Sequence, residues 1–237
     1  MSKDLLFISG AARSGTTAVA KLLNRHPQIL LGSERYFFKL AKQELKPSDF
    51  ELPRFLKIED GDTHEAGRVA QNREAYDRSK IVGDKFPQPF LYMDYIEETF
   101  PSAKHVYIVR NPFSVAESYE QRRITGSWRH SYMDAVRAWN RSISTFQRLA
   151  PALRGRLHVV EYEDLFGNPE SIQAMLRFLD VEPLSPAVLE SEIAQSNKVS
   201  AKEAMRNDAL RLYVCKHTDW AAYAKFCDTF GLNASGG

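Results

Sequence analysis

The sequence predicts an α/β fold, a central and mostly parallel sheet flanked by helices, and two observations predict it. Short apolar runs alternate with longer stretches of helical period along most of the chain, the pattern of a parallel sheet with its crossover helices. The first apolar run, Leu5 to Ser9, passes through a loop holding Gly10 and Gly15 straight into a helical pattern with Val19, Leu22 and Leu23 on one face. In such sheets ligands collect at the carboxyl ends of the strands, so the loops after each strand are where chemistry is expected.

The elements follow in order. The first helix ends near Asn24, because Pro27 disfavours helical backbone at His26, which reads as a capping or packing residue. Ile29-Leu30-Leu31 is a second strand, and the loop Gly32-Ser33-Glu34-Arg35 leads into a helical stretch over 36–45. From 46 to 62 the pattern breaks into Pro, Asp and Gly, yet Phe50, Leu52, Phe55 and Leu56 persist, which reads as a lid-like excursion and not a linker. A polar helix over 65–78 precedes a strand over 80–85 and a helix over 90–100. His105 to Val109 is another buried strand, and Pro112 falls in the first turn of the helix after it. A long helix spans 132–149, the last strand 157–160, and a further helix 169–179. Helical pieces fill the remainder, the last over 218–230 with Gly231 as its cap.

With 237 residues, 43% of them hydrophobic, the chain can bury one substantial core. The expected organisation is a single domain over 1–237, with 46–78 and 123–132 as acceptor-side or lid insertions and 180–237 as a helical C-terminal part. A formal net charge of +2 gives no reason to expect nucleic acid as a partner. Cys215 and Cys227 match no zinc spacing and read as free thiols. No run approaches the length of a membrane span, and the chain enters a strand by Leu5, which leaves no room for a signal peptide. The expectation is a cytoplasmic protein of open oligomeric state.

The first loop, Gly10-Ala11-Ala12-Arg13-Ser14-Gly15-Thr16-Thr17, has P-loop spacing with one telling departure: Thr16 stands where a nucleotide hydrolase has Lys. That Lys reaches the outer phosphates of ATP or GTP. The loop amides and the helix dipole still favour an anion, and Arg13 supplies a cation from within the loop. The fold is therefore P-loop-like, with a loop built for an anion other than an ordinary magnesium nucleoside triphosphate.

A second anion site follows the strand ending at Val109. Arg110 sits at the strand tip, and Ser114, Ser118 and Arg122 share a helix face, each about 6 Å from the next. A strand-end Arg with a hydroxyl two turns further on can clamp a phosphate. The other reading is that Arg110 pairs with a carboxylate while Ser118 packs against the sheet.

Together these segments resemble the sulfotransferases that use 3′-phosphoadenosine 5′-phosphosulfate (PAPS). Arg13-Ser14-Gly15-Thr16-Thr17 looks like their 5′-phosphosulfate loop, Val109-Arg110-Asn111-Pro112 with Ser118 looks like their 3′-phosphate site, and Glu161-Tyr162-Glu163-Asp164-Leu165 is similar to their Tyr-Glu-Asp-Leu segment. The resemblance covers roughly residues 5 to 180. It is nearest to bacterial members and to tyrosylprotein and carbohydrate sulfotransferases, which carry Arg in the loop. The family's glycine-containing C-terminal loop has no clear counterpart here.

The resemblance implies metal-independent sulfuryl transfer from PAPS to a hydroxyl of a glycan, a lipid-linked sugar or a small alcohol, with adenosine 3′,5′-bisphosphate (PAP) released. It implies Glu34 as base, with a surface pair to Arg35 as its other reading. Arg13 and Lys85 would stabilise charge near the leaving group, Lys85 alternatively pairing with Asp84. Ser14, Gly15, Thr16 and Thr17 would hold the 5′-phosphosulfate, and Arg110 and Ser118 the 3′-phosphate. Tyr162 either contacts adenine or closes the core, and Trp128, Trp139 and Trp220 read as core or lid residues. Two rivals stand beside this reading: a degenerate P-loop phosphotransferase using Asp84 as a magnesium ligand, and a nucleotide-binding protein without catalysis.

Overall fold

The computed structural model describes residues 3–63, 73–200 and 207–232. Five parallel strands form one sheet in the order β2-β3-β1-β4-β5, where β1 is Asp4–Gly10, β2 Ile29–Ser33, β3 Ile81–Lys85, β4 Lys104–Val109 and β5 Leu157–Glu161. The register sets Ser33 and Ile8 beside Lys85, Gly10 beside Ile108, and Val109 beside Glu161. The carboxyl ends of all five strands thus finish at one edge. The strand order switches sides at β1, since β2 and β3 lie on one side of it and β4 and β5 on the other, and this is where parallel sheets open a crevice for ligands.

The helices, in chain order, are α1 (Thr16–Leu23), α2 (Phe37–Ala41), α3 (Arg73–Arg78), α4 (Met93–Thr99), α5 (Pro112–Ile124) and α6 (Tyr132–Leu149). Then come α7 (Tyr162–Leu165), α8 (Pro169–Leu179), α9 (Pro186–Ser200), α10 (Asp208–His217) and α11 (Trp220–Phe230). Successive residues of a strand point to opposite faces, so β1 sends Leu6 and Ile8 into one core and Phe7 into the other. Val19, Leu22 and Leu23 of α1 and Ile172, Met175 and Leu176 of α8 fill the first core. Residues of α4, α5, α6 and α11 fill the second, with Trp139, Phe146 and Phe226 among its largest side chains. Leu22 and Leu23 are wholly buried, each contributing about 1.5–3 kcal/mol of apolar burial, and that burial docks α1 where its N-terminus meets the sheet edge.

Two stretches differ from what periodicity suggests. The helical pattern over 36–45 is realised only as Phe37–Ala41, because the backbone turns left-handed at Gln43 and delivers Leu45 to the core. The excursion over 46–62 is packed: it forms two short 3-10 turns, Pro47–Phe50 and Arg54–Leu56, whose Phe50 and Phe55 are core residues. Its anchor is Arg35, fully buried, which donates to Asp62 at 3.2 Å and to the carbonyls of Phe55 and Lys57 at 2.7 and 2.8 Å. Of the polar helix expected over 65–78, residues 64–72 lie outside the described residues and Arg73–Arg78 is helical. Among the described residues no helix is long and apolar enough to cross a membrane. His26 packs as expected: its Nδ1 accepts from the Gln28 amide at 3.1 Å, which leaves Nε2 to donate to the Glu182 carbonyl at 2.9 Å.

Candidate active site

Residues 11–15 join β1 to α1. Arg13 (φ 71°) and Gly15 (φ 95°) both adopt left-handed backbone. For Arg13, which carries a Cβ, that conformation costs about 1–2 kcal/mol, strain of the kind that surrounding structure sustains at ligand clamps. At Gly15 a side chain has no room, since a Cβ would fall 2.2 Å from two ring carbons of Tyr162. Gly15 also stands at the N-cap of α1 and offers no capping side chain, which leaves first-turn amides for a ligand or water. The Ser14 hydroxyl is buried and bonds to none of the described residues, an orphan costing about 1–3 kcal/mol until something satisfies it. Thr16 is buried in the first turn, and Thr17 is exposed.

The segment of Arg110 and Ser118 meets this loop directly. Arg13 Nε donates to Ser118 Oγ at 3.0 Å, and Arg110 donates to the Arg13 carbonyl at 3.2 Å. Ser118 therefore does not merely pack against the sheet; it bonds the loop arginine. Partial burial, with the guanidinium groups of Arg122 and Arg110 close by, pulls Arg13 below the ordinary arginine range. Cations crowded at one loop repel each other, and an arriving anion relieves that repulsion. Arg123, by contrast, is engaged on its own helix by Glu120 at 2.6 Å.

Arg110 is held from several directions. Its guanidinium carbon lies 4.6 Å from the centre of the Tyr162 ring, and its carbonyl accepts from the indole of buried Trp139 at 2.9 Å. Its Nε lies 3.8 Å from Glu163, a loose version of the carboxylate pairing that the sequence left open. Asn111 caps α5 by accepting from the Phe113 amide at 2.9 Å, with Pro112 in the first turn as expected. Tyr162 is 8% exposed and belongs to the core beneath the loop while touching Arg110.

On the other side of β1, Glu34 and Lys85 form an ion pair. The Glu34 amide donates to the Lys85 carbonyl at 2.8 Å, and Lys85 Nζ donates to Glu34 Oε1 at 2.5 Å. The Lys85 side chain is 2% exposed, whereas Glu34 is 41% exposed and, like Arg13, has left-handed backbone (φ 63°). Neither competing pair forms. Arg35 turns into the core, and Asp84 is fully buried with one oxygen accepting from the Tyr36 amide at 2.9 Å and the other from the Lys85 amide at 2.8 Å. Burial pushes the Asp84 carboxyl up to about 7 against the pull of those bonds. A Cβ on Gly32 would lie 2.8 Å from Asp84 Oδ1, so glycine there makes room for the carboxylate that shapes the turn beneath Glu34. Asp84 is enclosed, and it is not presented to a ligand.

Two clefts open on Glu34 and share Phe37 as well. One, of about 820 Å³, runs past Thr17, Lys21, Phe38 and Thr63. The other, of about 630 Å³, is lined by Phe90, Tyr119, Trp128 and Arg141. A smaller pocket of about 90 Å³ lies beside Arg110, walled by Glu163, Trp220 and Tyr223. All ten residues singled out from the sequence (Arg13, Ser14, Gly15, Thr16, Thr17, Glu34, Lys85, Arg110, Ser118 and Tyr162) come from the strand ends and following helices along this one edge. Sequence reasoning missed the wall residues Phe37 and Tyr119 and read Trp220 only as a core or lid residue, since aromatic residues on helices carry no positional signal by themselves. It also missed the approach of Glu163 to Arg110, although both lie in segments that it had singled out.

The fold and loop define a P-loop-like α/β protein without the Walker lysine. The chain belongs to the sulfotransferase family, whose model matches residues 5–186. It is 28% identical over 216 residues to protein-tyrosine sulfotransferase 1 of Danio rerio, an alignment covering 86% of this chain and 61% of that protein. It is 27% identical over 229 residues to nodulation protein NoeE of Sinorhizobium fredii, covering 77% of this chain and 53% of that one. The chain thus spans less than two thirds of the length of these curated relatives. Among solved structures, a sulfotransferase from Alicyclobacillus acidocaldarius shares the fold with a TM-score of 0.64 at 19% identity, covering 99% of this chain and 98% of that one.

Proposed function

We propose that the chain transfers a sulfuryl group from PAPS to an acceptor hydroxyl and releases PAP. The observation that carries this reading is the placement of the anion loop between two others. The Arg110–Ser118 pair lies at β4, bonded to Arg13, and the Glu34–Lys85 ion pair lies at the ends of β2 and β3. One donor molecule with phosphate at both ends of its ribose would engage the first two, and the third would meet the acceptor. Membership of the sulfotransferase family supports the same reaction.

In this account the loop amides and the orphan Ser14 hydroxyl hold the 5′-phosphosulfate with Thr16 and Thr17, while Arg110 and Ser118 hold the 3′-phosphate and Tyr162 lies beside the adenosine. Glu34 takes the proton from the acceptor hydroxyl as its oxygen bonds to sulfur. The bond from sulfur to the 5′-phosphate oxygen breaks in line, and that oxygen leaves with the electron pair. Arg13 and Lys85 meet the charge that develops there; Lys85 has two N–H groups beyond the one given to Glu34. The proton on Glu34 then passes to solvent. The magnesium phosphotransferase alternative is not favoured, because Thr16 replaces the Walker lysine and Asp84 is enclosed with its oxygens on backbone amides.

The acceptor is proposed to be a glycan, a lipid-linked sugar or another alcohol, and the tyrosine named in the relative from Danio rerio adds a tyrosine peptide to the panel. The test is transfer of labelled sulfate from PAPS across that panel in the presence of a chelator. Replacing Glu34 with Gln should lower turnover by about 10²–10⁴-fold while PAP binding persists. Undiminished turnover in that variant would remove Glu34 from the role of base, and phosphate transfer from ATP in place of sulfate transfer would overturn the reaction.

A further inference from the structure

The seat proposed for the 3′-phosphate already contains an anion. Glu163, the second residue of α7, places Oε1 3.2 Å from the Asn111 amide at the start of α5 and 3.8 Å from Arg110 Nε. Arg110 Nε is buried and forms no hydrogen bond with any described residue, and 3.8 Å is an ion pair too long to be one. The carboxylate therefore sits on the two groups that a phosphate would use, a guanidinium and a helix N-terminal amide. It accepts a hydrogen bond from the Asn111 amide and leaves the Arg110 Nε without one. Arg110 is otherwise fixed, by the Arg13 carbonyl, the Tyr162 ring and the Trp139 indole on its own carbonyl. Glu163 is the movable partner: half of its side chain is exposed, against 23% for Arg110, so it can turn outward into water. Acidic residues are a poor choice for the wall of a seat that only binds phosphate. Their presence has a use if binding must also be reversed.

We propose that Glu163 is a built-in counter-ion of the 3′-phosphate seat, displaced when donor binds and returning to Arg110 when product leaves. This rests on the sulfotransferase reading, which supplies the 3′-phosphate. The carboxylate neutralises Arg110 in the free protein and competes with donor and product equally, so it weakens both and hastens release of PAP. A nucleotide without a 3′-phosphate leaves the pair in place and does not meet this competition. Glu161 is drawn into the same electrostatics, since burial together with the nearby Glu163 and Asp164 carboxylates raises its pKa.

The test compares wild type with Glu163→Gln, which keeps the shape and removes the charge. Binding of PAP and of adenosine 5′-monophosphate is measured by calorimetry, and PAP dissociation by stopped flow. Glu163→Gln should bind PAP about threefold to tenfold more tightly, the scale of a partly exposed ion pair with some like-charge repulsion, and release it correspondingly more slowly. Affinity for the monophosphate should be unchanged. In an Arg110→Ala background the same substitution should change PAP affinity by less than about twofold, since the pair no longer exists. Unchanged or weaker PAP binding in a folded Glu163→Gln protein, with wild-type affinity still dependent on the 3′-phosphate, overturns the counter-ion while leaving the donor site standing. Wild-type affinity that ignores the 3′-phosphate would show the seat itself to be misplaced, and the role of Glu163 falls with it.

Discussion

Replacing Gly15 with Ala probes how the anion loop is built. The new Cβ meets two penalties of separate origin. At φ 95° an alanine loses about 1–2 kcal/mol relative to glycine. The Cβ would also stand 2.2 Å from Tyr162 Cδ2 and Cε2, and that ring cannot swing aside cheaply because Arg110 lies 4.6 Å from its centre and Phe166 5.3 Å away. Overpacking of this kind costs about 1–3 kcal/mol, for a total of about 2–5 kcal/mol. Gly61 is the matched control: its φ is 92°, and a Cβ there meets nothing within 4 Å. Gly61→Ala should therefore lose only the backbone part. In a chain of this size each kcal/mol lowers Tm by about 2–4 °C, so thermal and denaturant unfolding of the two variants resolve the difference. Equal losses in both would refute the claim that Tyr162 is wedged against the loop.

Other consequences follow from the buried charges. Arg35→Met should destabilise by about 3–5 kcal/mol in denaturant unfolding, because it strips a fully buried cation from Asp62 and from two carbonyls even though Arg54 keeps a second bond to Asp62; a loss below about 1 kcal/mol would contradict its anchoring role. Glu161 carries a folded-state pKa of about 7 against an ordinary 4.5, raised by burial, Glu163 and Asp164. A raised acid binds its proton more tightly when folded, so its contribution to stability is present below about pH 4.5 and is lost as pH rises through about 7. The Tm of wild type should therefore fall relative to that of Glu161→Gln between about pH 5 and 8; a constant difference would show that Glu161 is not shifted. Lys85→Met should cost little stability, since Glu34 is 41% exposed and stays hydrated, yet it should lower the rate of sulfate transfer measured at saturating donor. Unchanged turnover would remove Lys85 from the chemistry.

Much of the sheet was legible because its signals are local. Each strand is a short apolar run that ends at a polar or glycine-bearing loop, and Pro112 and Gly231 mark helix ends by their own backbone chemistry. The loops that carry Arg13, Glu34, Lys85, Arg110 and Tyr162 could be placed together from topology alone, since all follow parallel strands. Contacts made across the fold were less accessible. That Arg35 turns inward to Asp62 and leaves Glu34 to Lys85 depends on packing of residues 46–62, whose irregular sequence hides two core aromatics. The bond from Arg13 to Ser118 joins residues 105 positions apart, and no periodicity encodes it. Trp220 reaches the pocket beside Arg110 only because α11 packs along α6, which composition does not reveal.

In the proposed function, the loop and Arg110 together hold a nucleotide phosphorylated at both its 3′ and 5′ positions. Metal-free calorimetry of PAP, beside ATP with magnesium and adenosine 5′-diphosphate, tests it most directly. PAP binding should depend on the 3′-phosphate and drop by about tenfold or more in Arg110→Ala, the loss of a charge-assisted contact. Binding of magnesium ATP in preference to PAP, or PAP affinity indifferent to Arg110, would contradict it.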